Sequence, residues 1–126
     1  MQNEKVGERT DIVERTFLFA LQIVKLCRNL ERTSGASRSL SLQLLRSGTS
    51  IGANVEEAQA GQSKADFMSK MAIALKEARE TGYWLRLIRE SGIATTDSLD
   101  LLEKEASELA KILGAIISKV KKTSRA

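Results

Sequence analysis

Between Leu99 and Val120 the apolar residues fall at Leu99, Leu102, Ala106, Leu109, Leu113, Ile116 and Val120, in steps of three and four, while Glu103, Lys104, Glu105, Glu108 and Lys111 fall elsewhere. An α-helix keeps such a set on one face, and a strand cannot, because its side chains change face at every residue. A helix with one apolar face must bury that face against something, so the segment calls for partner helices. They are present. Ile12, Thr16, Phe19, Ile23, Leu26 and Leu30 repeat the spacing. So do Phe67, Met71, Leu75, Ala78, Gly82 and Leu85, flanked by Ala74, Trp84 and Ile88 on one side and by Met68 on the other. The 126 residues contain no proline and only 4% aromatics, and 42% are hydrophobic. That is enough for one core and too little chain for two domains, so the fold class is all-α in a single domain.

Break signals divide the chain into four helices, expected at about 11–32, 39–60, 64–91 and 96–122. Asp11 is placed to cap the first, and Thr33-Ser34-Gly35-Ala36-Ser37 is the first turn. Gly61, where a left-handed backbone is expected, stops the second. Ser63-Lys64-Ala65-Asp66 is a short-armed capping box for the third, which ends at Gly92 with Ile93 set to make a closing apolar contact. The fourth begins near Thr96-Asp97 and leaves a frayed end after Lys122. Connections this short make successive helices antiparallel neighbours, as in an up-down-up-down bundle.

The residue inventory removes several kinds of chemistry. Cys27 is the single cysteine and histidine is absent, which argues against a disulfide scaffold, an ordinary zinc site and the Glu-x-x-His pairs of a di-iron bundle. Glu56, Glu57, Glu77 and Glu80 are carboxylates that charged helix faces explain better than metal ligation does. Gly48 and Gly52 lack the Lys-Ser or Lys-Thr that follows a phosphate-binding loop. Cys27 sits in the apolar stripe of the first helix with no base to activate it, so it reads as a buried, inert thiol. No cofactor is expected, and no enzyme. No apolar run approaches the roughly 18 residues of a membrane span, so the expectation is a cytoplasmic protein without membrane contact.

Three features point past the core. Beside the seam of the first helix lies a second stripe, Val13, Phe17, Ala20, Val24 and Cys27, which serves either a wide core face or a subunit interface; Phe17, Val24 and Trp84 are the candidate interface residues. The third helix has a basic face that includes Arg79, Arg86 and Arg89, and Lys119, Lys121 and Lys122 crowd the carboxyl end. These six are the candidate phosphate contacts, against the plainer readings of a solvated face and of ordinary partners for a helix dipole. In the second helix, Arg46-Ser47-Gly48-Thr49-Ser50-Ile51-Gly52-Ala53-Asn54 places two glycines four apart, each unfavourable by about 1 kcal/mol in a helix. Close approach of a neighbouring backbone accounts for them, and a local bend is the competing account. Ser50 and Asn54, if buried, need partners, with Arg46 or Glu57 in reach.

The run from Gln43 to Ala58, then Ser63-Lys64-Ala65-Asp66-Phe67, then Ile73-Ala74-Leu75-Lys76-Glu77-Ala78-Arg79-Glu80-Thr81 and Tyr83-Trp84-Leu85-Arg86-Leu87, closely resembles the four-helix-bundle proteins encoded in intervening sequences of bacterial 23S ribosomal RNA genes. The resemblance covers roughly residues 10 to 120. It implies antiparallel four-helix bundles gathered into homopentamers around a central channel, with a structural role for Arg46, Gly48, Ser50, Gly52, Asn54 and Glu57. A related branch comprises accessory proteins of diversity-generating retroelements, which associate with a reverse transcriptase and nucleic acid. This chain departs from that branch over the second helix, so reverse-transcriptase binding is not carried over. Two readings of function follow. One is a homo-oligomer binding RNA or DNA, in which five copies multiply the formal charge of +4 to about +20. The other is a scaffold that binds a protein partner.

Overall fold

The computed structural model describes residues 4–30, 35–94 and 97–125, with side chains described for 12–30, 35–94 and 97–123. Four helices follow one another: α1 Glu4–Leu30, α2 Ala36–Gln59, α3 Lys64–Glu90 and α4 Asp97–Arg125. Each of the four segments expected to be helical carries one of these helices, and among the described residues there is no strand.

The ends differ in detail from the sequence reading. Helical backbone starts at Glu4, so Asp11 lies inside α1; once a helix exists, each added residue brings a hydrogen bond, and only Gly7 weakens the stretch before Asp11. The expected end of the first helix at Arg32, together with Thr33, Ser34 and Thr96, lies outside the described residues. Gly35 precedes α2 with φ 73°, and its carbonyl accepts from the Ser39 amide at 3.1 Å. α4 continues to Arg125. Gly61 does not take the left-handed conformation expected of it; positive φ occurs only at Gly35 and Gly92 among the described residues. A Cβ on Gly61 would instead lie 3.1 Å from the Ala58 carbonyl and 3.4 Å from the Phe67 amide, so crowding at the α2–α3 connection is what a side chain there would meet. The Ser63 hydroxyl accepts from the Asp66 amide at 3.1 Å and starts α3 as expected. Gly92, at φ 77°, turns the chain out of α3 and lays Ile93 against the core.

One core gathers side chains from all four helices: Phe19 and Ile23, Leu44 and Ile51, Leu85 and Ile88, Leu109 and Leu113 are each at most 1% exposed. Burial of one such side chain contributes about 2 kcal/mol, and this term sets the helices together. Polar contacts record how neighbouring helices pass one another. Cys27 Sγ lies 3.4 Å from the Ser41 carbonyl, and the Ser41 hydroxyl donates back to the Cys27 carbonyl at 3.4 Å. Ser47 and Thr81 hydroxyls are 3.0 Å apart, and Lys70 reaches Glu57 at 3.0 Å. Arg89, near the end of α3, pairs with Asp100 and Glu103 near the start of α4. Arg15 clasps Glu105 through two hydrogen bonds of 2.7 and 2.8 Å. The α1–α4 seam is the thinnest of the four and opens as a groove of about 340 Å³ floored by Leu26 and Leu102.

Candidate functional site

The distinctive stretch of α2 is built against two neighbours at once. Toward α1, a Cβ on Gly48 would lie 2.9 Å from Cγ1 and from Cγ2 of Ile23, and one on Gly52 would lie 3.2 Å from the Thr16 carbonyl oxygen. α2 therefore comes nearly to backbone contact with α1 at Gly52, which only a residue without a side chain allows without displacement. Thr16 is fully buried there, its hydroxyl donating to the Ile12 carbonyl at 2.8 Å.

Toward α3, Arg46 reaches across to two carboxylates. Its Nη1 donates to both oxygens of Glu77 at 3.3 Å, its Nη2 donates to Glu80, and the Trp84 indole N–H donates to the same Glu80 oxygen at 3.0 Å. The Glu77 side chain is 11% exposed and that of Glu80 28%, against 50% for Arg46. The indole hydrogen bond first, and Arg46 second, hold the Glu80 carboxyl below its ordinary range, while Glu80 and then Glu77 push the Arg46 guanidinium up. Thr81 completes the seam, donating to the Glu77 carbonyl at 2.7 Å beside the Ser47 hydroxyl. The sequence reading linked Ser50 and Asn54 to this chemistry. Asn54 instead donates to the Ser50 carbonyl at 2.8 Å within α2, and Glu57 pairs with Lys70. The partners of Arg46 come from α3, a helix whose register against α2 no local spacing in the sequence specifies.

The six cations singled out in the sequence do not form one patch. Arg86 pairs with Glu90 at 2.8 Å; Arg89 lies among Glu103, Asp100 and Glu90. Both guanidinium pKa values are raised, by Glu90 and Glu103 respectively, and Arg86 in turn lowers that of Glu90. Local charge there is balanced by acids. Arg79 and the lysines at 119, 121 and 122 are exposed and have no ion-pair partner among the described residues. Lys119 stands roughly 24 Å along α4 from Glu103, the partner of Arg89, at 1.5 Å per residue.

The candidate interface residues also separate. Phe17 is 49% exposed, Val24 is half-buried, and Trp84 is half-buried with its N–H committed to Glu80. The second stripe of α1 thus grades from Cys27, buried against α2, out to Phe17 in solvent. Exposed apolar residues that the periodicity did not single out accompany it: Leu18 at 48%, Leu21 at 42%, and, on α3, Tyr83 at 60%. They interrupt no seam, so only their presence on the polar side of the helical pattern could have betrayed them. Among the described residues no group of three or more Asp, Glu or Cys side chains is placed to hold a metal ion, and no helix is long and apolar enough to cross a membrane.

These observations define an all-α protein of four helices around a single core, with ionic clasps across its seams. The chain belongs to the 23S rRNA-intervening sequence protein family, whose profile matches residues 8–115. It is similar in structure to a protein of unknown function from the S23 ribosomal protein family of Bacteroides thetaiotaomicron, with 40% sequence identity and a TM-score of 0.79 over 87% of this chain and 97% of that one. No curated protein matches it. The family expected from the sequence is the family found.

Proposed function

We propose that this protein is a non-enzymatic binding module: an antiparallel up-down-up-down bundle that assembles with copies of itself, five to a ring, and contacts nucleic acid through lysines brought together by that assembly. The observation that carries the reading is the outward face of α1, where Phe17, Leu18 and Leu21 are 42–49% exposed within one turn of helix. Large apolar side chains scattered singly over a surface are ordinary, whereas three together are the mark of an interface. The antiparallel order is supported by contacts that run in opposite directions along successive helices: Arg46 of α2 meets Glu80 of α3, while Glu57, later in α2, meets Lys70, earlier in α3.

A ring of five carries a formal charge of about +20 from +4 per chain, so a modest monomer becomes a strong phosphate partner. Lys119, Lys121 and Lys122 gather at the same end of every copy in such a ring. Solution mass by sedimentation equilibrium tests the assembly, and a 13.9 kDa particle at all concentrations overturns it. Binding of RNA and DNA across a salt series tests the cargo. Affinity that falls steeply with salt and weakens on replacing the three lysines supports it; no binding at low salt overturns it. A scaffold binding another protein is the second reading, favoured by the balancing of Arg86 and Arg89 by Glu90, Asp100 and Glu103. Capture of a partner that survives nuclease treatment, together with no affinity for nucleic acid, decides for the scaffold.

A further inference from the structure

We propose that the surface that receives the outward face of α1 is the outward face of α3 in a second copy of this chain, with the two helices parallel and Leu18 and Leu21 seated in two hollows of α3. This rests on the homo-oligomer reading and adds to it the partner face and the register.

The two faces complement each other in charge. Along α1, Glu14, Leu18, Leu21 and Lys25 form one stripe of exposed residues, acidic at its start and basic at its end. Along α3, Arg79, Tyr83, Leu87 and Glu90 form another, basic at its start and acidic at its end. Laid parallel, they pair Glu14 with Arg79, Leu18 with Tyr83 and Lys25 with Glu90 at one offset of 65 residues. Laid antiparallel, they set acid against acid and base against base, which is destabilising. Neither Glu14 nor Arg79 nor Lys25 has an ion-pair partner among the described residues of its own chain, so each is available.

Shape agrees with charge. A knob on one helix enters a hole made by four residues of the other at positions i, i+3, i+4 and i+7. Around Leu18 that hole is Arg79, Gly82, Tyr83 and Arg86. Gly82 contributes no side chain, no atom lies within 4 Å of where its Cβ would be, and a hollow of about 320 Å³ opens there toward α4. For Leu21 the hole is Tyr83, Arg86, Leu87 and Glu90, and those four residues line a separate hollow of about 200 Å³.

Height agrees as well. Thr16 packs on Gly52, five residues past Ser47, which meets Thr81, so through α2 Thr16 stands level with about residue 76 of α3. Arg15 meets Glu105, two residues past Glu103, which meets Arg89, so through α4 it stands level with about residue 87. The offset of 65 sets Arg15 and Thr16 beside Glu80 and Thr81, between those two levels, which stand roughly 16 Å apart along the helix. Within one chain no Cα of α1 comes within 8 Å of a Cα of α3 among the described residues, and two different faces make a head-to-tail contact, the kind that closes into rings. The pairing commits Arg79 to the subunit contact and leaves the carboxyl-terminal lysines as the phosphate set.

The test uses the full chain with the buried thiol removed by Cys27→Ser. Leu18→Cys combined with Tyr83→Cys should give, on mild oxidation, a ladder of covalent oligomers, whereas Leu101→Cys, at a more exposed apolar site elsewhere, combined with Tyr83→Cys should not. Glu14→Arg and Arg79→Glu should each lower the solution mass, and the double exchange should restore it. A wild-type monomer overturns both this proposal and the oligomer reading. A wild-type oligomer that cross-links equally through Leu101→Cys, or whose mass ignores both charge reversals, overturns the α1–α3 pairing and leaves the oligomer standing.

Discussion

A methyl group on Gly48 would lie 2.9 Å from two branch carbons of Ile23, a side chain with no exposed surface into which it could move. Gly52 offers slightly more room, 3.2 Å, but to the Thr16 backbone. Alanine gains about 1 kcal/mol over glycine in helix propensity and loses about 1 to 3 kcal/mol to overpacking. Gly48→Ala should therefore destabilise by about 1 to 2 kcal/mol, Gly52→Ala should come out near zero, and Gly52→Leu should exceed 1 kcal/mol of destabilisation. Urea unfolding measures each. Ile23→Ala should cost less in the presence of Gly48→Ala than alone, since it removes the branch that clashes; additive costs would show that the two sites do not press on each other.

Gly114 is the opposite case, a half-buried glycine inside α4 with no atom within 4 Å of its missing Cβ. Nothing stands in the way of the propensity gain, so Gly114→Ala should stabilise by about 0.5 to 1 kcal/mol and raise Tm by about 2 to 5 °C in a thermal melt. A fall in Tm would mean that the small residue meets something outside this chain, and comparison of solution mass would show it.

Cys27 is 1% exposed, with its thiol against the Ser41 carbonyl at 3.4 Å. A thiol there reaches reagent only when α1 and α2 part. Its labelling by an aromatic disulfide should be slow in the native protein and should speed up across the urea transition in step with the loss of helical signal. Rapid labelling without urea would indicate a seam that opens on its own.

The apolar spacing of Leu99 to Leu113 and of Ile12 to Leu30 made the four-helix core legible, because a helix places residues three and four apart on one face whatever its neighbours do. Gly48 and Gly52 also announced a close approach, since a helix tolerates two unfavourable residues only where something offsets them. What stayed hidden depends on register between helices. Glu77 is a charged residue in a seam position, and nothing near it in sequence reveals that Arg46, 31 residues away, covers it. The partners of Arg89 were hidden for the same reason, since Asp100 and Glu103 sit on another helix, whereas the partner of Arg86, Glu90, lies four residues on in its own helix and was open to the spacing. Gly61 was misjudged for a related reason: the usual left-handed stop gave way to crowding by the start of α3.

The clasp of Arg46, Glu77, Glu80 and Trp84 should make stability fall in acid. Glu80 has its carboxyl held below its ordinary value of 4.5, by the Trp84 indole first and Arg46 second. A carboxyl lowered in the folded state stabilises above its unfolded value, and that stabilisation is lost as pH falls through the folded value. The decline attributable to Glu80 therefore lies below pH 4.5, and Glu80→Gln, which cannot titrate, should be less stable than wild type at pH 7 and should converge with it in that acid range. Trp84→Phe keeps an aromatic body and removes only the N–H donor, so its acid limb should be shallower than that of wild type. Arg46→Met works through the deeper partner: Glu77, 11% exposed, loses the cation that offsets its burial. Because Arg46 is itself half exposed, solvent screens much of the loss, and about 1 to 2 kcal/mol is expected at neutral pH. Adding Glu77→Gln to Arg46→Met should recover part of it by removing the stranded charge. If urea unfolding at pH 7 finds the double variant less stable than Arg46→Met alone, Glu77 is held by contacts other than this cation, and the clasp is not what joins α2 to α3.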